Sequence, residues 1–327
     1  MPRPRGSARR LLGRLGGIAA SVVLVLWGAA TLAFVAFRII PGDPVEVMLG
    51  PQAQVSDAVK AGIRSDLGLD RPLLEQYGAF LGQLVRGDLG ESYQLRLPVV
   101  EVIGRQLGST LQLTGAALAV ALVLALASVL FARGRTARTV LAGVELVVLS
   151  SPVFWTGLVL LSVFSFQLGW FPVSGARDPA AIVLPAVTLA LPVAALLAQV
   201  LRDGVEAAER EPFLTTVRAR GATPLRESVH HTLRHASVGG LTLAAYLVGS
   251  LLGGAVLVET VFARPGIGRV TLAAISDRDL PVITGVILFS ALVFVVVNTV
   301  VDLVVPVLDP RLRRAPSAVD RRAAVPA

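Results

Sequence analysis

The chain contains no cysteine, which excludes disulfides, thiol catalysis and thiolate metal ligation. It is almost without lysine: among 30 basic residues only Lys60 is one, and Val59 precedes it. A phosphate-binding P-loop needs Gly-Lys followed by Ser or Thr, so this chain has no such route to ATP hydrolysis. Histidine is confined to His230, His231 and His235. His231 and His235 stand four apart and can share a helix face, but no His-Glu-x-x-His pattern accompanies them, and they read as polar surface residues, not a zinc site. No Gly-x-Ser-x-Gly and no paired carboxyls inside an apolar stretch occur. The expectation is a chain that is not an enzyme, holds no metal and carries no cofactor of its own.

Charge is scarce as well. Charged residues make up 16% of the 327, against about 25% in ordinary soluble domains. Hydrophobic residues make up 54% and the mean hydropathy is +0.73. So thin a charged exterior cannot cover so much apolar surface in water, and the chain reads as a membrane protein. The net charge of +8 would suit nucleic acid if taken alone. In a membrane chain the placement of basic residues carries the information, and no nucleic-acid partner is expected.

Crossing ~30 Å of hydrocarbon takes about 20 residues of helix. The apolar runs predict an all-α membrane protein with six transmembrane helices at 18–38, 106–132, 140–168, 180–201, 236–259 and 280–306. Around them lie a basic tail at 1–17, a cap segment at 39–105, a loop at 202–235 and a tail at 307–327. The first run is too long for a signal peptide, and Arg38-Ile39-Ile40-Pro41 is no small-residue cleavage site. Five Arg precede the first span and three lie at Arg133, Arg135 and Arg138. Six more lie between Arg202 and Arg234, and five follow Asp309. The positive-inside rule then puts both termini in the cytoplasm and the cap outside.

The 202–235 loop is long for a connection that need only turn round. Pro212 can open a helix because its missing N–H would be unpaired there anyway. Gly221 can stop it at positive φ. Thr223 followed by Pro224 reads as the cap and first residue of a second helix. On that helix Leu225, Val229 and Leu233 form an apolar stripe, and Arg226, His230 and Arg234 a basic one. Two helices lying on the inner leaflet and a rigid peg fitting a socket on another protein both use such faces. The short first helix and tight turn lean toward the peg.

Phe213-Leu214-Thr215-Thr216-Val217-Arg218-Ala219-Arg220-Gly221 and His231-Thr232-Leu233-Arg234-His235-Ala236 resemble the loop signature of ABC importer membrane subunits, specifically the peptide and nickel importer permeases. Further matching segments follow in order along the chain: Pro41-Gly42-Asp43-Pro44, Gly87-Asp88-Leu89-Gly90-Glu91-Ser92, Ser151-Pro152-Val153-Phe154, Leu184-Pro185-Ala186, Glu259-Thr260-Val261-Phe262, Pro265-Gly266-Ile267-Gly268 and Asp309-Pro310-Arg311. The resemblance implies a type I importer fold, with the loop as coupling helix, in a bacterial inner or plasma membrane. It implies half of a peptide pathway, paired with a second homologous permease. Two ATPase subunits would bind the ATP and Mg, and an external substrate-binding lipoprotein would deliver cargo. Thr216, Arg218, Ala219, Arg220, Gly221, His231 and Arg234 would carry the ATPase docking. Nickel or another small solute is the alternative cargo.

Three further positions are candidate gate or pathway residues. Glu259, at the outer end of the fifth span with Arg264 nearby, can bind an ammonium, pair with Arg264, or simply touch water. Pro185 and Pro192 invite kinks in the fourth span. Ala245, Gly249 and Gly253, four apart, read as a packing face, and Glu145 as a packing or interface residue. A stand-alone channel or secondary transporter would bring its own coupling charges at mid-membrane or an inverted repeat, and the sequence has no mid-span ion pair and no clear repeat.

Overall fold

An apolar run in hydrocarbon must pair each backbone N–H and C=O within itself or a closed barrel. In the computed structural model, which describes residues 6–39, 44–49, 55–66, 68–131, 134–175, 178–221, 223, 226 and 232–308, the regular elements are helices, with one isolated bridge between Glu91 and Pro98. In chain order they are α1 (Gly6–Ile39), α2 (Pro44–Leu49), α3 (Asp57–Asp66), α4 (Leu73–Val85), α5 (Val99–Phe131), α6 (Arg135–Ser150) and α7 (Val153–Leu160). There follow α8 (Val183–Glu209), α9 (Phe213–Ala219), α10 (Leu233–Val261), α11 (Ile267–Ser276) and α12 (Leu280–Leu308).

Among the described residues, five helical stretches are long and apolar enough to cross a membrane: Gly16–Ile39, Val99–Phe131, Pro179–Glu209, Thr242–Val261 and Leu280–Val300. The third expected span, 140–168, is not a single rod. α6 and α7 meet at a bend of 107°. Pro152 has no N–H to continue the ladder, and it forces Ser151 out of the helical region, to φ −88° and ψ 132°. Beyond α7 the backbone widens into a π-turn stretch, Leu161–Gln167. α8 passes Pro192 without breaking. It also continues beyond residue 201, so the first part of the expected loop is helix.

The chain divides into two compact units. The first comprises Met1–Gln112, Ser174–Arg177 and Ala255–Val295. Its core joins Val99, Val102 and Ile103 of α5, Ile267 and Ala274 of α11, and Val282 and Val286 of α12. In the segment after α1, α4 folds back onto α1. The Phe34 ring lies 5.2 Å from Tyr77 and 5.6 Å from Phe80, and the Thr31 and Tyr77 hydroxyls are 2.7 Å apart. Gln76 ties the preceding turn down by donating to the carbonyls of Leu69 and Arg71 and accepts from Arg38.

The second unit comprises Leu113–Val173, Asp178–Gly254 and Val296–Ala327. α8 is its most enclosed described helix, buried along most of its length. The last turns of α8 are lashed to α6 by charge. Arg202 donates to both carboxyl oxygens of Glu145, with Nη1 2.6 Å from Oε1. Arg138 reaches Glu206 at 3.3 Å and Glu209 at 3.9 Å. Glu145, near the inner end of the third expected span, is buried and paired with Arg202, just past the fourth. Linear sequence puts 57 residues between the partners, and only the packing of α6 on α8 brings them together.

Glu145→Ala should leave a largely buried guanidinium without its counter-charge, at a cost of about 3–5 kcal/mol. The check is the thermal unfolding midpoint of the detergent-purified chain, with the single changes Glu145→Arg and Arg202→Glu and the swap Glu145→Arg/Arg202→Glu measured beside it. The swap should be more stable than the two single changes added together; simple additivity would refute the pairing.

Candidate functional site

The loop signature falls on α9. Pro212 precedes it and its carbonyl accepts from the Thr215 N–H at 3.2 Å. Leu214 is buried to 1% exposure and fastens the short helix, while Thr216, Ala219 and Arg220 face outward. Gly221 follows at φ +77°, a left-handed conformation that costs an L-residue roughly 1–2 kcal/mol and glycine nothing. The Arg226 N–H reaches the Thr223 hydroxyl at 3.4 Å, the expected capping arrangement. Arg218 lies in α9 and Arg234 in α10, but their side chains, and all of His231 and the Leu225–Val229 stripe, lie outside the described residues. Leu214 was not singled out by sequence, because one buried leucine in a short amphipathic turn carries no signature.

The candidate gate residue Glu259 lies between α5 and α11. It is wholly buried at the end of α10, with no water contact. Its Oε1 accepts from the Thr110 hydroxyl at 2.6 Å, and its Oε2 from the backbone N–H of Gly268 at 2.8 Å. Thr110 in turn accepts the N–H of Ile267 at 2.9 Å. These N–H groups open α11, whose own cap position, Gly266, has no side chain to offer. Glu259 therefore caps a helix from outside it, meeting both the orphan donors and the positive end of the dipole. The glycines around it are required by space: a Cβ on Gly266 would sit 2.1 Å from the Glu259 carboxyl, and one on Gly268 2.3 Å from the Val256 backbone.

Arg264 is buried nearby and its Nη2 is 3.5 Å from Gln112 Oε1, while its Nε has no hydrogen-bond partner. Burial lowers its pKa from arginine's usual value, and the negative charge of Glu259 opposes that shift. A second buried carboxyl repeats the capping device. Asp279 precedes α12 and accepts from the Ser92 hydroxyl at 2.5 Å and from the Tyr93 and Gln94 N–H groups at 3.3 Å each. It thereby ties the Gly90–Leu97 turn to the start of α12. Tyr93 has its pKa raised by burial and further by Asp279. The other two gate candidates lie on α8, Pro185 buried and Pro192 half-buried.

Residues 117–314 match the family described as the binding-protein-dependent transport system inner membrane component, and residues 8–114 match its N-terminal part. The chain belongs to this permease family. The di/tripeptide transport system permease protein DppB of Pseudomonas aeruginosa is 36% identical over 89% of this chain and 96% of its own. The glutathione transport system permease protein GsiC of Escherichia coli K12 is 33% identical over 93% of this chain and 97% of its own. Among solved structures, the MetNI methionine ABC transporter in an inward facing conformation covers 63% of this chain and 96% of the matched chain, with a TM-score of 0.52 and 19% identity. That likeness concerns the fold.

The permease is thus a multi-pass inner-membrane transport subunit of an ABC importer, a kind that works with ATPase and substrate-binding partners. Its strongest polar constellation, around Glu259, is enclosed and fully engaged in holding backbone. Glu259→Ala should take the acceptor away from the Gly268 and Arg269 N–H groups that open α11 and cost about 3 kcal/mol or more. Glu259→Gln, which keeps a carbonyl oxygen for those donors, should cost less. Thermal unfolding of the purified permease reads both; equal losses would argue against the capping role.

Proposed function

We propose that the permease forms half of a pathway for peptides, pairing with a second homologous permease, and takes its ATP-derived work through α9. The alignments with permeases named for di/tripeptides and for glutathione, a small peptide, support peptide cargo over nickel. The observation that carries the coupling reading is the surface Thr216, Ala219, Arg220 and Gly221. It is exposed, yet held by buried Leu214 and a glycine turn at φ +77°. A segment bound flat on lipid would bury its apolar face in the bilayer; here that anchoring residue is buried in protein.

In this reading two ATPase subunits, which hold the ATP and Mg, dock on the loop of each permease through Thr216, Arg218, Ala219, Arg220, Gly221, His231 and Arg234. An external binding protein delivers the peptide. Arginine-rich segments around the first span, α6 and the loop support cytoplasmic termini. Nucleotide-driven closure of the ATPases moves α9, and the spans alternate access. Glu259, Pro185 and Pro192 remain the candidate gate or pathway residues. A stand-alone channel or secondary transporter is not favoured: the Glu145–Arg202 pair is closed on itself, without the open partner that a coupling charge needs.

Gly221→Val should force a β-branched residue into left-handed backbone. Tripeptide uptake by cells should fall sharply while the amount of inserted chain, read by immunoblot, stays the same. Normal uptake would refute a required turn. Arg218→Glu should lower ATPase co-purification with the tagged permease, and an unchanged complex would point to a membrane-surface role.

A further inference from the structure

Two cavities in the first unit adjoin, sharing Leu84 and Leu89. One, of about 650 Å³, is walled by α1, α4, α5 and α12 through residues such as Trp27, Leu84, Ile103, Leu107 and Phe289. The other, of about 390 Å³, is lined by charges of both signs, Arg38, Asp88, Glu91 and Arg96. Both fall within the range of small-molecule sites, roughly 300–1,000 Å³. Arg38 stands at the end of the first apolar stretch, and Val23, on the wall of the apolar cavity, is about 22 Å lower along α1 at ~1.5 Å per residue. Half of the hydrocarbon thickness is about 15 Å. The joined space therefore has charge at the level where a lipid headgroup sits and hydrocarbon walls through the depth of a leaflet.

We infer that this space is a binding site for one aminophospholipid. The guanidinium groups of Arg38 and Arg96 suit the phosphate. The carboxyls of Asp88 and Glu91 suit a primary ammonium, which donates hydrogen bonds that a quaternary ammonium cannot. Asp88 uses Oδ1 to accept the Gly90 N–H at 2.9 Å and keeps its second oxygen. The apolar compartment takes an acyl chain. A transmembrane helix of a partner is a poorer fit, because it would have to bury four charges of the upper cavity against an apolar surface. Gly104 of α5 lines the apolar compartment, and a Cβ there would meet nothing within 4 Å. Glycine there keeps that wall of the apolar compartment open for a chain.

The test reconstitutes the full transporter in nanodiscs of equimolar phosphatidylethanolamine, phosphatidylcholine and phosphatidylglycerol, then reads retained lipid by native mass spectrometry. Phosphatidylethanolamine should be enriched. Gly104→Leu, which projects into the lower cavity from a position where a Cβ meets nothing, should reduce its retention about tenfold, with the complex and its thermal midpoint unchanged. Glu91→Gln should abolish the preference for the primary ammonium over the choline lipid. Undiminished retention in Gly104→Leu would overturn the site. Loss of the second permease from the Gly104→Leu complex would show that a helix occupies it, and enrichment of phosphatidylglycerol would overturn the headgroup assignment.

Discussion

Within hydrocarbon there is no water to satisfy a polar group, and each one must find its partner in protein. Three buried carboxyls show how this chain meets that demand, and in each case the partner is what makes the local structure possible. Glu259 takes the first N–H groups of α11, Asp279 gathers the Gly90–Leu97 turn at the start of α12, and Glu145 neutralises Arg202. None stands as an isolated charge. Each instead allows a helix end or a charge to exist where apolar packing alone would exclude it, since a buried donor without an acceptor costs about 1–3 kcal/mol.

The same constraint explains what could be read from the linear sequence. Residues in hydrocarbon must be apolar and helical, so the spans stand out as charge-free runs, and four of the six proceed as helices through the expected residues. The fifth, 236–259, does so within a longer α10. The third was legible only as a length of apolar chain. Its break rests on Ser151-Pro152, a local signal that was present in the motif but was read as a mark of resemblance and not as a bend. The turn at Gly221 was legible because only backbone conformation was at stake, and glycine announces it.

Long-range pairings were not legible. Thr110 and Glu259 are 149 residues apart, and Ser92 and Asp279 187. Glu259 looked like a gate because an acidic residue at a membrane edge is a functional candidate by default. What the sequence could have offered was Pro265-Gly266-Ile267-Gly268: a helix about to start with glycine at its cap needs an acceptor from elsewhere, and Glu259 is the nearest carboxyl. An uncapped helix start beside a solitary acid is a signal for a remote cap.

The ion pairs on α8 bear on how the loop could transmit force. Helix ends fray unless something holds them, and a frayed end would absorb a push from α9 before it reached the buried part of the helix. Arg202, Glu206 and Glu209 lie on the last turns of α8, and Arg138 and Glu145 hold them from α6. Surface pairs of this kind contribute little to stability, about 0–1 kcal/mol each, so the two outer ones matter less for folding than for direction. They keep the final turns of α8 helical and tied to α6 up to Glu209, only a few residues before α9 begins at Phe213. In the coupling proposed above, a displacement entering at α9 would reach a helix end that is already braced, and α6 and α8 would take it up together.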